Sequence, residues 1–93
     1  MAMALETIAQ GLHLTPTELM QRGVEAYLER ELRATQMDIN DLRDRYRVND
    51  TAGLAEQIKA GTIHSHPAWE DHIEWQSLEA QLRQLEQWQE ELG

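Results

Sequence analysis

The chain of 93 residues carries 8 basic and 17 acidic side chains, a formal net charge of −9, and no cysteine. So acidic a chain repels phosphate backbones and anionic membrane surfaces, which disfavours binding to nucleic acid or to membranes. The lack of cysteine excludes disulfides, thiolate zinc sites and cysteine nucleophiles. There is no basic signal-peptide start and no apolar run of the ~20 residues that a membrane span needs, so we expect a single-domain cytoplasmic protein.

Helix-forming residues predominate along the whole chain, and the spacing of its apolar residues predicts an all-α protein with three or four helices. Residues 1–14 are predicted to form an N-terminal arm or a short helix. A glycine often follows a helix because it adopts the left-handed conformation without strain, so Gly11 is the expected end of that short helix.

A long helix is predicted over residues 15–47. Thr15 and Glu18 have the spacing of a capping box, and Pro16 suits the first helical position. A kink at residues 35–38 is an alternative, because a threonine and an aspartate there could cap a second helix.

Two further helices are predicted after a break at Asn49 and Asp50, which suit a C-cap and an N-cap. The first is short and covers residues 50–60. The second begins at a proline and covers residues 67–92, so its length is close to that of the long helix.

Apolar residues recur at steps of four and three along both long helices, as in the seam of a coiled coil. The predicted seam residues are Leu28, Leu32, Thr35, Ile39, Leu42 and Tyr46 in the first helix and Trp75, Leu78, Leu82, Leu85 and Leu92 in the last. Two such helices joined by a short one fold back most simply as a long antiparallel hairpin. We expect a homodimer, because self-association would bury the apolar stripes that remain.

Four acid-first pairs at i,i+4 spacing should stabilise the helices by a few tenths of a kcal/mol each. They are Glu18–Arg22, Glu29–Arg33, Asp41–Arg45 and Glu79–Arg83. No catalytic triad order, phosphate-binding glycine loop or nucleotide fingerprint is present, and a helical hairpin offers no evident buried cleft. We therefore predict a protein without catalytic residues and without a cofactor.

The acidic charge is concentrated in the C-terminal half. Residues 1–49 carry six basic and eight acidic side chains, a net charge of −2, whereas residues 50–93 carry two basic and nine acidic side chains, a net charge of −7. A basic protein is the electrostatic complement of that half, and the association should weaken as salt rises. A solvated face that only keeps the protein in solution is the alternative.

All three tryptophans lie in the C-terminal helix, where Trp75 belongs to the seam and is expected in the core. Trp69, Ile73 and Trp88 lie off the seam, and we predict that they anchor a partner protein, since tryptophan is enriched at binding hot spots. Packing of Trp88 on the first long helix is the alternative. The acidic residues predicted to complement the partner's charge are Glu70, Asp71, Glu74, Glu90 and Glu91.

Three histidines lie within nine residues, namely His64, His66 and His72. Imidazole and neighbouring carboxylates are ligands for zinc or nickel, so these histidines form a weak candidate metal site. The alternative is an ordinary role, in which His66 ends the loop before the proline and His72 faces solvent or packs on Trp69.

Residues 8–28 (IAQGLHLTPTELMQRGVEAYL) resemble the helical part of ribbon-helix-helix repressors and antitoxins, with a glycine turn, a capped helix start and an apolar run. No lysine or arginine occurs before Arg22, so the DNA-reading strand of that family has no counterpart here. Residues 66–75 (HPAWEDHIEW) are similar to small bacterial and archaeal proteins regarded as antitoxins. That resemblance implies an acidic antitoxin whose residues 66–92 neutralise a basic toxin; the alternative is a homo-oligomeric adaptor that pairs only with itself.

Overall fold

The computed structural model describes residues 2–93, with side chains from residue 4 onward, so Met1 of the predicted arm lies outside the described residues. The described chain contains four helices and no strand, which confirms the all-α prediction. The helices are α1 (Ala2–Gly11), α2 (Pro16–Tyr46), α3 (Thr51–Lys59) and α4 (Ser65–Leu92). None of these helices is both long and apolar enough to cross a lipid bilayer.

The two long helices, α2 and α4, pack against each other as an antiparallel hairpin. Tyr46 at the end of α2 meets Asp71 near the start of α4, and Thr35 meets Gln81 further along. Leu28 lies beside Trp88 at the far end. The residue numbers of each facing pair sum to about the same value, so the register is constant along the seam and the predicted hairpin is confirmed.

Helix α1 ends at Gly11 as predicted, but the left-handed residue that follows the helix is His13, with φ of 59°. The amide of Leu14 donates to the carbonyl of Ala9 at 2.9 Å, and the amide of His13 donates to the carbonyl of Gln10 at 3.1 Å. This is the Schellman pattern, which satisfies the last carbonyls of a helix. It also turns the chain towards α2.

The predicted capping box opens α2. The Thr15 hydroxyl accepts from the Glu18 amide and the Glu18 carboxylate accepts from the Thr15 amide, both at 3.1 Å. The helix then runs without a break through residues 35–38, so no second helix begins there. Thr35 is 3% exposed, and its hydroxyl donates to the Glu31 carbonyl at 2.8 Å, inside the helix.

The turn after α2 is made by Arg47, which has φ of 55°, and not by Asn49 as predicted. Asp50 caps α3 as predicted, since its carboxylate accepts from the Gly53 amide at 2.7 Å. At the start of α4, His66 has extended backbone angles and a cis bond to Pro67, so continuous helical geometry begins at the proline.

The core lies where α2, α3 and the first half of α4 meet. Its buried residues are Ile39, Leu42, Leu54, Ala68 and Trp75. Leu28 and Leu85 continue the buried seam towards the other end of the hairpin. The described chain is therefore a rod of 60 × 21 × 18 Å.

None of the predicted i,i+4 pairs has a nitrogen–oxygen contact within 4.0 Å between residues 4 and 93. The pKa of Glu18 is lowered chiefly by hydrogen bonds with Thr15, and the charge of Arg22 adds to that effect. Arg45 turns away from Asp41 and lies 2.9 Å from Asp71 on α4, so this arginine links two helices. The other ion pair joins His66 to Glu70 at 3.0 Å. Exposed local pairs contribute little energy, so tertiary geometry decides where such side chains point.

Candidate interaction surfaces

The first exposed apolar surface lies near the start of α4 and consists of Trp69 and Ile73, here called the α4 patch. These side chains are one helical turn apart and are 48% and 54% exposed. The indole of Trp69 stacks on the imidazole of His72, with ring centroids 5.0 Å apart and an interplanar angle of 2°. His72 is itself buried, so the Trp69 ring is held in a fixed orientation at the surface.

The three histidines do not come together as a metal site. His72 packs flat on Trp69, whereas His66 contacts Glu70 through Nδ1 at 3.0 Å. Among the residues whose side chains are described, no group of three or more histidines and carboxylates could hold a metal ion. The Nδ1 atom of His72 is buried without a hydrogen-bond partner.

The predicted acidic residues around the α4 patch have two different roles. Glu70 and Glu74 are exposed, and Glu70 also contacts His66 at 3.0 Å. Asp71 differs from them, because its side chain is only 14% exposed and accepts from the Arg45 guanidinium and the Tyr46 hydroxyl. Asp71 therefore joins α4 to α2, and its carboxylate is engaged within the fold. The sequence indicates this contact, because Asp71 lies four residues before Trp75 and so occupies the preceding position of the same seam.

Burial in this contact, and then the hydrogen bond to Asp71, raise the pKa of Tyr46 above its ordinary value. A raised pKa means that folding favours the neutral phenol, so this contribution to stability is complete below about pH 10 and is lost as pH rises through the folded pKa. We expect the free energy of unfolding to fall more steeply with alkaline pH in the parent than in Tyr46→Phe. Urea denaturation at pH values on both sides of 10 measures this, and identical slopes would contradict the assignment.

The second exposed apolar surface lies at the other end of the hairpin. Met20, Val24 and Tyr27 recur on α2 at steps of four and three, and Trp88 of α4 lies beside Val24; these four residues are here called the α2 patch. Each is between 46% and 58% exposed. Trp88 lines an apolar groove of about 310 Å³ with Val24, Leu28 and Leu92.

The α2 patch includes one position that α4 does not reach. In the constant register of the hairpin, Leu28 faces Trp88, so Met20 faces a position beyond the end of α4 at Leu92, whereas Val24 and Tyr27 lie level with its last residues and are still half-exposed. The sequence pattern alone does not reveal this surface, since the stripe of α2 continues unchanged past the last residue that α4 reaches. Glu91 lines the groove, and Glu90 beside it is exposed.

The predicted anchors therefore belong to two surfaces. Trp69 and Ile73 lie together, but Trp88 is 19 residues further along α4, which corresponds to about 28 Å at 1.5 Å per residue. A partner that contacted both surfaces would have to follow most of the length of the helix.

These features define an all-α, hairpin-shaped protein with exposed aromatic surfaces. The chain belongs to the family described as the Uncharacterized protein MJ0235 family, whose model matches residues 1–93. No curated protein and no solved structure matches the chain.

Proposed function

We propose that the protein is a non-catalytic cytoplasmic interaction protein, and specifically an antitoxin that masks a basic toxin with α4. The observation that carries this proposal is the α4 patch, in which a half-exposed tryptophan and isoleucine stand beside the exposed carboxylates of Glu70 and Glu74. An aromatic anchor rimmed by charge is the composition of a protein-binding hot spot.

The stacking of Trp69 on His72 supports this role. A side chain that is already held in one orientation loses less conformational entropy when it binds, so more of its contact energy appears as affinity. His72 is 7% exposed and belongs to the packed interior, which makes it a rigid base for the indole.

The charge of the C-terminal half supports a basic partner. Its net charge of −7 attracts a positively charged protein before contact, which raises the association rate at low salt. In a toxin whose substrate is RNA, the active-site surface is basic, and an acidic helix laid on it would exclude the substrate by occupancy and by charge.

The experiment uses the full chain and the product of the adjacent gene, which this proposal requires to be a basic protein. Trp69→Ala is expected to weaken binding by about 30-fold or more, the effect of a hot-spot residue worth roughly 2 kcal/mol. Met37→Ala is the matched control, because Met37 is a 65% exposed residue of α2 outside both patches. Isothermal titration calorimetry gives the affinities, and equal affinity of Trp69→Ala and the parent would overturn the anchor assignment.

Self-association is a second candidate function, favoured by the α2 patch. Four half-exposed apolar side chains lie at one end of the rod, and a symmetric contact with a second copy would remove them from water. Light scattering of the parent should then give the mass of a dimer, and Val24→Asp should give that of a monomer. If the parent is a monomer at high concentration, self-association is ruled out, and the α2 patch is then available as a contact surface for the toxin.

A further inference from the structure

A cleft of about 330 Å³ with both polar and apolar lining lies between α2, the turn that precedes α3, and α4, away from both patches. Its apolar lining comes from Ile39, Trp75 and Leu82, and its charged lining comes from Arg43, Asp50 and Glu79. The volume is at the lower end of the roughly 300–1,000 Å³ of ligand pockets, which suits one side chain of a partner better than a large ligand.

Arg43 is held against the wall of the cleft by neutral oxygens. Its Nε donates to the Asn49 carbonyl at 2.9 Å, and its Nη1 donates to the Asn40 side-chain oxygen at 2.7 Å. These bonds fix the guanidinium and use part of its donor capacity. Arg43 forms no ion pair with either carboxylate of the cleft within the described residues.

Glu79 is the carboxylate that the fold leaves without compensation. It is half-buried, lines the cleft and has neither a hydrogen bond nor an ion pair with any residue whose side chain is described. The sequence predicts a pair with Arg83, but that pair is not formed. A carboxylate beside apolar surface is stabilised most by a cation that also donates a hydrogen bond to it.

We infer that this cleft receives a lysine or arginine side chain of a basic protein. The methylene stem of such a side chain would lie on Ile39 and Leu82, and its cationic head would donate to Glu79. Two carboxylates against one guanidinium make the cleft acidic, so it selects a cation over an anion. The inference rests on the proposed function for the source of that side chain, and it extends the contact surface beyond the α4 patch.

The position of the cleft fits a partner that already contacts the α4 patch. Glu79 lies ten residues after Trp69 on the same helix, which is about 15 Å along the axis. At 3.6 residues per turn, Glu79 also lies roughly 80° around the helix axis from Trp69, so a partner must curve around the side of α4 to reach both. A standard interface, which buries about 800 Å² on each side, is large enough for this.

The test needs no partner protein, so its outcome is independent of whether the toxin proposal holds. The parent is titrated with Nα-acetyl-arginine amide and Nα-acetyl-lysine amide, and the indole N–H resonance of Trp75 is followed by NMR. Trp69→Phe and Trp88→Phe assign that resonance by elimination. We expect a saturable shift with at least one of the two cationic probes and none with Nα-acetyl-glutamine amide, which carries no charge.

Glu79→Gln is expected to weaken the binding of the probe at least tenfold, whereas Glu86→Gln should leave it unchanged. Glu86 is the matched control, because it is an exposed acid on the same helix and does not line the cleft. Absence of a shift with both cationic probes, an equal effect of the two variants, or a shift with inorganic phosphate instead of the cations would each overturn the inference.

Discussion

Trp75→Ala is expected to lower the free energy of unfolding by about 3–5 kcal/mol, the usual effect of truncating a large buried aromatic residue. Trp75 is 1% exposed and packs in the cluster that joins α2, α3 and α4. A domain of this kind has a total stability of roughly 5–15 kcal/mol, so the variant should lose most of its resistance to denaturant. Urea unfolding followed by circular dichroism measures the change.

Trp69→Ala is the matched control for this prediction, since it removes the same side chain from the same helix at a site that is 48% exposed. Its effect on stability should stay below about 1.5 kcal/mol, because half of the indole is already in water and only the contact with His72 is lost. Equal destabilisation by the two replacements would show that the core is not centred on Trp75.

Asp71→Ala is expected to lower the free energy of unfolding by about 1–3 kcal/mol, because it leaves the half-buried Tyr46 hydroxyl without its acceptor. The ion pair with Arg45 should contribute only a small part, since the arginine side chain is 57% exposed and screened by water. The main effect therefore comes from the hydrogen bond.

A double-mutant cycle separates these contributions. Tyr46→Phe removes the donor together with its need for an acceptor, so Asp71→Ala should cost less in the Tyr46→Phe background than in the parent. Arg45→Ala in the parent should have the smallest effect of the three single replacements. If Asp71→Ala cost the same in both backgrounds, the tyrosine hydrogen bond would not be what holds α4 to α2.

The four helices could be predicted from the sequence because their determinants are local. The capping box at Thr15, the cap at Asp50 and the proline at position 67 each act within one turn of the chain. The left-handed positions were harder to place, since Schellman and related turns accept residues other than glycine. His13 and Arg47 take that conformation where the pattern favours Gly11 and Asn49.

The interaction surfaces were only partly predictable, because they depend on register between helices. The pattern identifies Trp69 and Ile73 as lying off the seam, and the structure leaves both exposed. It cannot show how far α4 reaches along α2, so it does not show that Met20 lies beyond the end of α4. The role of Asp71 likewise depends on a contact across 25 positions of sequence.

The elongated shape has a consequence for how the protein behaves in solution. A compact chain of this length would have a radius of gyration of about 12 Å, whereas the described residues give 19.4 Å. Friction rises with such anisotropy, so a single copy should elute from a sizing column ahead of a globular standard of equal mass and sediment more slowly than one. Apparent mass from elution alone would therefore mimic a dimer, and scattering intensity is the quantity that reports stoichiometry.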